Sequence, residues 1–164
     1  MNRKIVVTTI LCHMAIFFFT VLISSQVIAS FNGHIILEVI NFVIVTCLYV
    51  GSGYVIAKNR KGRYDVSYFA VFFLGLGIWA IAFMSSPDDL NWKFGKGGVW
   101  LLYRLYVFSY DITLGRLIHF ANVQINMVLL LTLSILPSTF MMIGKIIREG
   151  KTLPNKTQPA AWHR

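Results

Sequence analysis

Residues Gly98–Asn126, GVWLLYRLYVFSYDITLGRLIHFANVQIN, are apolar over most of their length yet carry Arg104, Asp111, Arg116 and His119. Wound at roughly 100° per residue, they place Arg104, Asp111, Gly115, His119, Asn122 and Asn126 in one stripe, with Trp100 and Phe108 beside it. An Arg or Asp facing lipid at mid-bilayer costs roughly 2.5–3.5 kcal/mol on insertion scales. An unbroken helix from Val99 to Ile147 would measure on the order of 70 Å, too long for one crossing. The spacing therefore predicts an outer-face amphipathic or re-entrant helix over about 98–120, with a bend near Asp111–Gly115, leading into the final membrane span.

The rest of the chain sets the solvent for that reading. Among 164 residues, 57% are hydrophobic and only 13% charged, and the mean hydropathy is +0.69. One soluble domain of this size cannot cover so apolar a composition, so the solvent is lipid. The net charge of +9 comes from basic residues grouped beside apolar runs, with no nucleic-acid motif among them. Membrane topology accounts for them, and no nucleic-acid partner is inferred.

Four apolar runs are long enough to cross a hydrocarbon layer of roughly 30 Å. They fall at about residues 5–29, 35–57, 66–85 and 127–147. The first follows Asn2-Arg3-Lys4 and ends near Val27-Ile28-Ala29, which together resemble a secretory signal, but the run exceeds the roughly 7–15 apolar residues usual for one, so it is read as a retained helix. Lys58, Arg60, Lys61 and Arg63 fill the second connection, and Ser86-Pro87-Asp88-Asp89 closes the third span. Basic residues at the amino terminus, in the 58–63 connection and in the carboxyl tail put all three on the cytoplasmic side of a cell membrane after four crossings. The expected architecture is thus an all-α integral membrane protein: one four-helix domain over 1–149, then a flexible cytoplasmic tail over 150–164. The basic residues 58–63, with Lys145, Arg148 and Lys151, are expected to form a collar against anionic lipid.

Candidate functional groups lie where charge meets this apolar background. His34, Glu38 and Asn41 share one face of the second span, and Glu38 sits about one turn inside it. A carboxylate at that depth needs a partner, for which Arg104 or Arg116 is suited. The resulting polar seam of His34, Glu38, Asn41, Arg104, Asp111, Arg116, His119, Asn122 and Asn126 either docks helices through a buried ion pair or forms a small outward-facing binding pocket. Glu38, Asp111 and His119 are the candidates for acid–base chemistry, and no nucleophile motif accompanies them. His34, Glu38, Asp111 and His119 have residue types that suit zinc but no spacing that supplies a site, so neither metal nor cofactor is expected.

Inside the spans, His13 is read as satisfied by a neighbour such as Thr9, and Cys12 and Cys47 as small packing residues. Gly51-Ser52-Gly53 and Gly75-Leu76-Gly77 offer small surfaces for close helix approach without forming GxxxG. No internal repeat argues for a transporter built by duplication. The leading expectation is a noncatalytic protein that binds a larger membrane partner as accessory subunit, regulator or immunity-type protector. The alternatives are an oligomeric ion or solute transporter or channel, with Glu38, Arg104, Asp111 and His13 along its route, and a membrane enzyme acting at the outer interface on lipid or peptide.

Overall fold

The computed structural model describes residues 3–30, 35–57, 66–85, 98–111, 114 and 127–152. All regular structure among them is helical: α1 (Arg3–Ser30), α2 (Ile35–Ile56), a 3-10 turn (Val66–Phe69) running into α3 (Ala70–Met84), α4 (Gly98–Tyr106) and α5 (Met127–Thr152). Four stretches, Arg3–Ile23, Ile36–Ile56, Val66–Met84 and Leu131–Gly150, are long and apolar enough to cross a membrane. This is an all-α, multi-pass membrane protein. Runs such as Ile5-Val6-Val7-Thr8-Thr9 are weak helix formers in water. Lipid enforces the helix there, because only internal pairing can satisfy the backbone. The last helix continues through Gly150, Lys151 and Thr152, three residues expected in the tail, and the remainder of that tail lies outside the described residues.

The helices alternate in direction. Ser134, Ser138 and Lys145 of α5 meet Gly75, Phe72 and Tyr68 in turn, so α3 and α5 are antiparallel. Gly144 meets Val50 and Arg148 meets Tyr54, so α5 runs parallel to α2. The start of α1, the end of α2 and the end of α5 therefore share one end of the bundle.

The most extensive helix contact joins α2 to α5. A Cβ built on Gly53 would lie 1.9 Å from the Met141 carbonyl oxygen, and one on Gly144 would lie 1.9 Å from that of Val50. Only hydrogen fits at either position, so the two backbones touch in the manner small residues permit between membrane helices. Within Gly51-Ser52-Gly53 and Gly75-Leu76-Gly77, just one glycine of each is used in this way. Gly75 faces the Tyr106 ring and Ser134, whereas Gly51 and Gly77 face open space.

Polarity in α1 is inverted relative to a soluble helix. Its buried face carries Thr9, His13, Ile16 and Thr20, while Val7, Leu11, Phe18 and Leu22 are exposed. The threonines satisfy themselves, Thr9 donating to the Val6 carbonyl at 2.8 Å and Thr20 to that of Ile16 at 2.7 Å. Cys47 is exposed on α2 and so is no packing residue within this chain, whereas Cys12 is half-buried.

Helix ends are closed by side chains from other helices. The first N–H groups and last carbonyls of a helix have no internal partner, and water is scarce inside a membrane. The Phe72 N–H, in the first turn of α3, donates to Ser138 Oγ of α5 at 3.0 Å, and Phe69 at the N-cap supplies no side-chain bond. The Tyr54 carbonyl, near the end of α2, accepts from Arg148 Nη1 at 2.9 Å, with the guanidinium 4.8 Å from the Tyr54 ring centre. Lys145 is buried 5.5 Å from the Tyr68 ring centre and 3.7 Å from Glu149. Two members of the expected basic collar thus turn into the bundle, since closing helix ends and covering rings occupies them there.

Candidate functional site

The site is built around the end of α4. The helix is interrupted at Val107, four residues before the expected bend, and a helical turn resumes over 108–111. The Val107 carbonyl accepts from both Tyr110 and Asp111 N–H at 2.9 Å, which leaves the Tyr106 carbonyl to find a partner elsewhere. His13 Nε2 donates to it at 3.1 Å. His13 is the middle residue of its candidate span, so α4 ends level with the middle of α1, packed among the spanning helices. Irregular backbone survives at that depth only when protein surrounds it, and His13 seals this one.

The partners of His13 define its proton arrangement. A carbonyl only accepts, so Nε2 carries a proton; a neutral ring then leaves Nδ1 to accept from the Tyr49 hydroxyl, 2.8 Å away. The expected bond to Thr9 is replaced by these two, because Thr9 is turned to its own helix. The imidazole lies 4.7 Å from the Tyr106 ring centre. Tyr49 stacks on Tyr110 at 5.5 Å, and Tyr110 meets Phe42 of α2 and Phe140 of α5. The Tyr106 hydroxyl donates to the Val71 carbonyl in α3. One segment, 98–111, thereby ties α1, α2, α3 and α5 together. Around it, the hydroxyls of Thr46, Ser109 and Tyr110 are buried without a hydrogen bond of good geometry, Ser109 beside Tyr49 and Thr46 beside Tyr110.

Of the polar seam, Arg104 and Asp111 are brought together. Both Nε and Nη2 of Arg104 lie 2.9 Å from Asp111 Oδ2, with the Asp111 side chain only 9% exposed. The chain thus spends this acid on holding Arg104 across the Val107 break. Glu38 and Asn41 are half-buried on α2, one turn or less before Phe42, which touches the Tyr110 ring. His34, Arg116, His119, Asn122 and Asn126 lie outside the described residues, as do the 58–63 connection and Pro87-Asp88-Asp89. The expected pairing of Glu38 with Arg104 or Arg116 turns in part on Arg116. Among the described residues, no three of His, Cys, Asp and Glu gather in a way that could hold a metal ion.

Tyr49, Tyr103, Tyr106, Ser109 and Tyr110 belong to the site and were not singled out from the sequence. The signal was present: Tyr103, Tyr106 and Tyr110 are spaced i, i+3, i+7, the spacing of one helix face. Tyrosine is common at membrane interfaces, yet this stripe is buried in the bundle, fully so at Tyr103 and Tyr110.

Replacing Arg104 by methionine leaves the Asp111 carboxylate buried without this cation. We expect a loss of about 2 kcal/mol, below the range for fully buried pairs because Arg104 is partly exposed. Adding Asp111→Leu should recover at least half of that loss. Thermal unfolding in detergent of the parent, both single variants and the double variant measures it, and additive losses would refute the pairing.

No protein family, curated protein or solved structure matches the chain.

Proposed function

We propose that the chain is a noncatalytic membrane protein that acts by binding a larger membrane partner, as accessory subunit, regulator or immunity-type protector. The observation that supports it is the inward use of ionisable groups. His13 has both ring nitrogens bonded, Asp111 is bound by Arg104, and the α4 segment that carries the latter pair fills the middle of the bundle. What the described spans turn outward is mostly apolar, such as Leu11, Phe18 and Leu22 on α1 and Ile36, Val39 and Val43 on α2, with Thr8 and Thr132 among the few polar exceptions beyond the cations at the start of α1. Such faces can hold lipid or another protein's helix, and they offer no chemistry of their own. The end of the bundle shared by Lys4, Tyr54 and Arg148 is the cytoplasmic one in this reading, because the basic residues 58–63 follow α2 there.

Native mass spectrometry of the protein extracted gently from its own membrane tests this. A stoichiometric second protein is the expected result, and a bare monomer or homo-oligomer would overturn it. A transport reading draws support from a different observation, the run of His13, Tyr49, Ser109, Tyr110 and Thr46 groups across the bundle centre. In that case Glu38→Gln abolishes ion flux in proteoliposomes while leaving assembly intact.

A further inference from the structure

Most serine and threonine hydroxyls on the spanning helices are spent locally. Thr9, Thr20, Ser52, Ser134 and Thr139 each donate to a carbonyl three or four residues earlier in the same helix, at 2.7–3.0 Å. Thr46 and Ser109 do not. Both hydroxyl oxygens are buried without a hydrogen bond, although the Phe42 carbonyl stands one turn before Thr46 in α2. Thr46 lies instead beside the Tyr110 hydroxyl, itself buried and unbonded, and Ser109 lies beside that of Tyr49. Tyr49 has given its proton to His13 Nδ1 at 2.8 Å, so toward Ser109 its oxygen can only accept.

Packing fixes where these oxygens sit. The Tyr110 ring is held among those of Phe42, Tyr49 and Phe140, with centres 5.5–6.1 Å away, and a phenol oxygen goes where its ring is put. Ser109 is carried on the short helical turn after the Val107 interruption. Thr46 is the middle residue of the second candidate span, as His13 is of the first, so the group lies level with the centres of both, away from bulk solvent. An unbonded hydroxyl in such a place is costly. These hydroxyls are neutral, and the adjacent acid, Asp111, is bound by Arg104. The ligand they match is therefore uncharged, able both to donate and to accept, and small enough for a packed core. We propose that the centre of the bundle binds internal water, hydrogen-bonded to Thr46, Ser109 and Tyr110. Buried water makes about three such bonds to groups that otherwise have none. The site stands whether the chain works by binding a partner or by transport.

The test uses the full chain in a neutral detergent, exposed to brief X-ray radiolysis and digested for mass spectrometry. Hydroxyl radicals formed from bound water oxidise the rings beside it, even where bulk water has no access. Tyr110 should be oxidised severalfold faster than Tyr103, which is as fully buried and lies beside Ser134, away from the cluster. Thr46→Val with Ser109→Ala removes two of the hydroxyls at little change in volume, and in that variant, folded, Tyr110 should fall to the rate of Tyr103. A second measurement needs no variant. In solid-state NMR of the parent in bilayers, magnetisation from water should reach Thr46 severalfold faster than Thr20, which is equally sheltered but bonded to its own helix. Equal oxidation of Tyr103 and Tyr110 in the parent, undiminished oxidation of Tyr110 in the folded double variant, or equal transfer to Thr46 and Thr20 would each overturn the proposal. Those results would mean that the hydroxyls of Thr46 and Tyr110 pair directly, with nothing between them.

Discussion

Gly53→Ala and Gly144→Ala each cost about 3 kcal/mol in unfolding experiments in detergent, whereas Gly77→Ala stabilises the protein by up to about 1 kcal/mol. The contrast follows from what a single methyl group would meet. At Gly53 and Gly144 it would lie 1.9 Å from a backbone carbonyl oxygen, a neighbour with no rotamer through which to move away, so α2 and α5 must separate. At Gly77 it meets nothing within 4 Å, and the gain in helix propensity stands alone. Separation opens the most extensive helix contact in the bundle and exposes Val45, Tyr49 and Met141, all buried there. Equal effects at Gly53 and Gly77 would show that the close contact between α2 and α5 is wrong.

His13→Leu is the other large effect, about 3–5 kcal/mol, since it removes two bonds at once at the bundle centre. The Tyr106 carbonyl loses its donor and the Tyr49 hydroxyl loses its acceptor, each loss worth about 1–3 kcal/mol when the remaining group stays buried. Tyr49→Phe in the same background removes one orphan and should return about 1 kcal/mol. A structural signature accompanies the energetic one. Ser109 is buried beside Tyr49 in the parent, so Ser109→Cys should resist a water-soluble maleimide there and react once His13→Leu has released the end of α4. Unchanged protection would mean that the seal is carried by the ring packing of Tyr106 and Tyr110 alone.

The spanning helices were legible in the sequence because lipid makes hydropathy nearly sufficient. Long uncharged runs must form helices whatever their neighbours, and the observed helix limits fall within a few residues of those runs except at the end of α5. There Lys145, Arg148 and Glu149 lowered the apparent apolarity, although both cations are held against the rings of Tyr68 and Tyr54. The α4 segment was recognisable as special from its charges, and its two forms, interfacial or re-entrant, could not be separated. Depth is a tertiary property: the observation that bears on it is the reach of His13 to a carbonyl far along the chain. The interruption at Val107 was equally hidden, since Arg104-Leu105-Tyr106-Val107-Phe108-Ser109-Tyr110-Asp111 contains neither glycine nor proline. A wheel drawn through an unbroken helix still brought Arg104 and Asp111 together, because two turns separate them.

The seals also impose an order on synthesis. Ser138 closes the start of α3, Arg148 closes the end of α2, and Gly144 completes the contact with Gly53. All three come from α5, which is synthesised after the two helices it closes. Until it arrives, two earlier helices stand in the bilayer with open backbone ends, and α2 carries a glycine face with nothing against it. A nascent chain halted before Gly144 is therefore an unfinished bundle, and the membrane's insertion and proteolysis machinery meets it in that state on every round of translation.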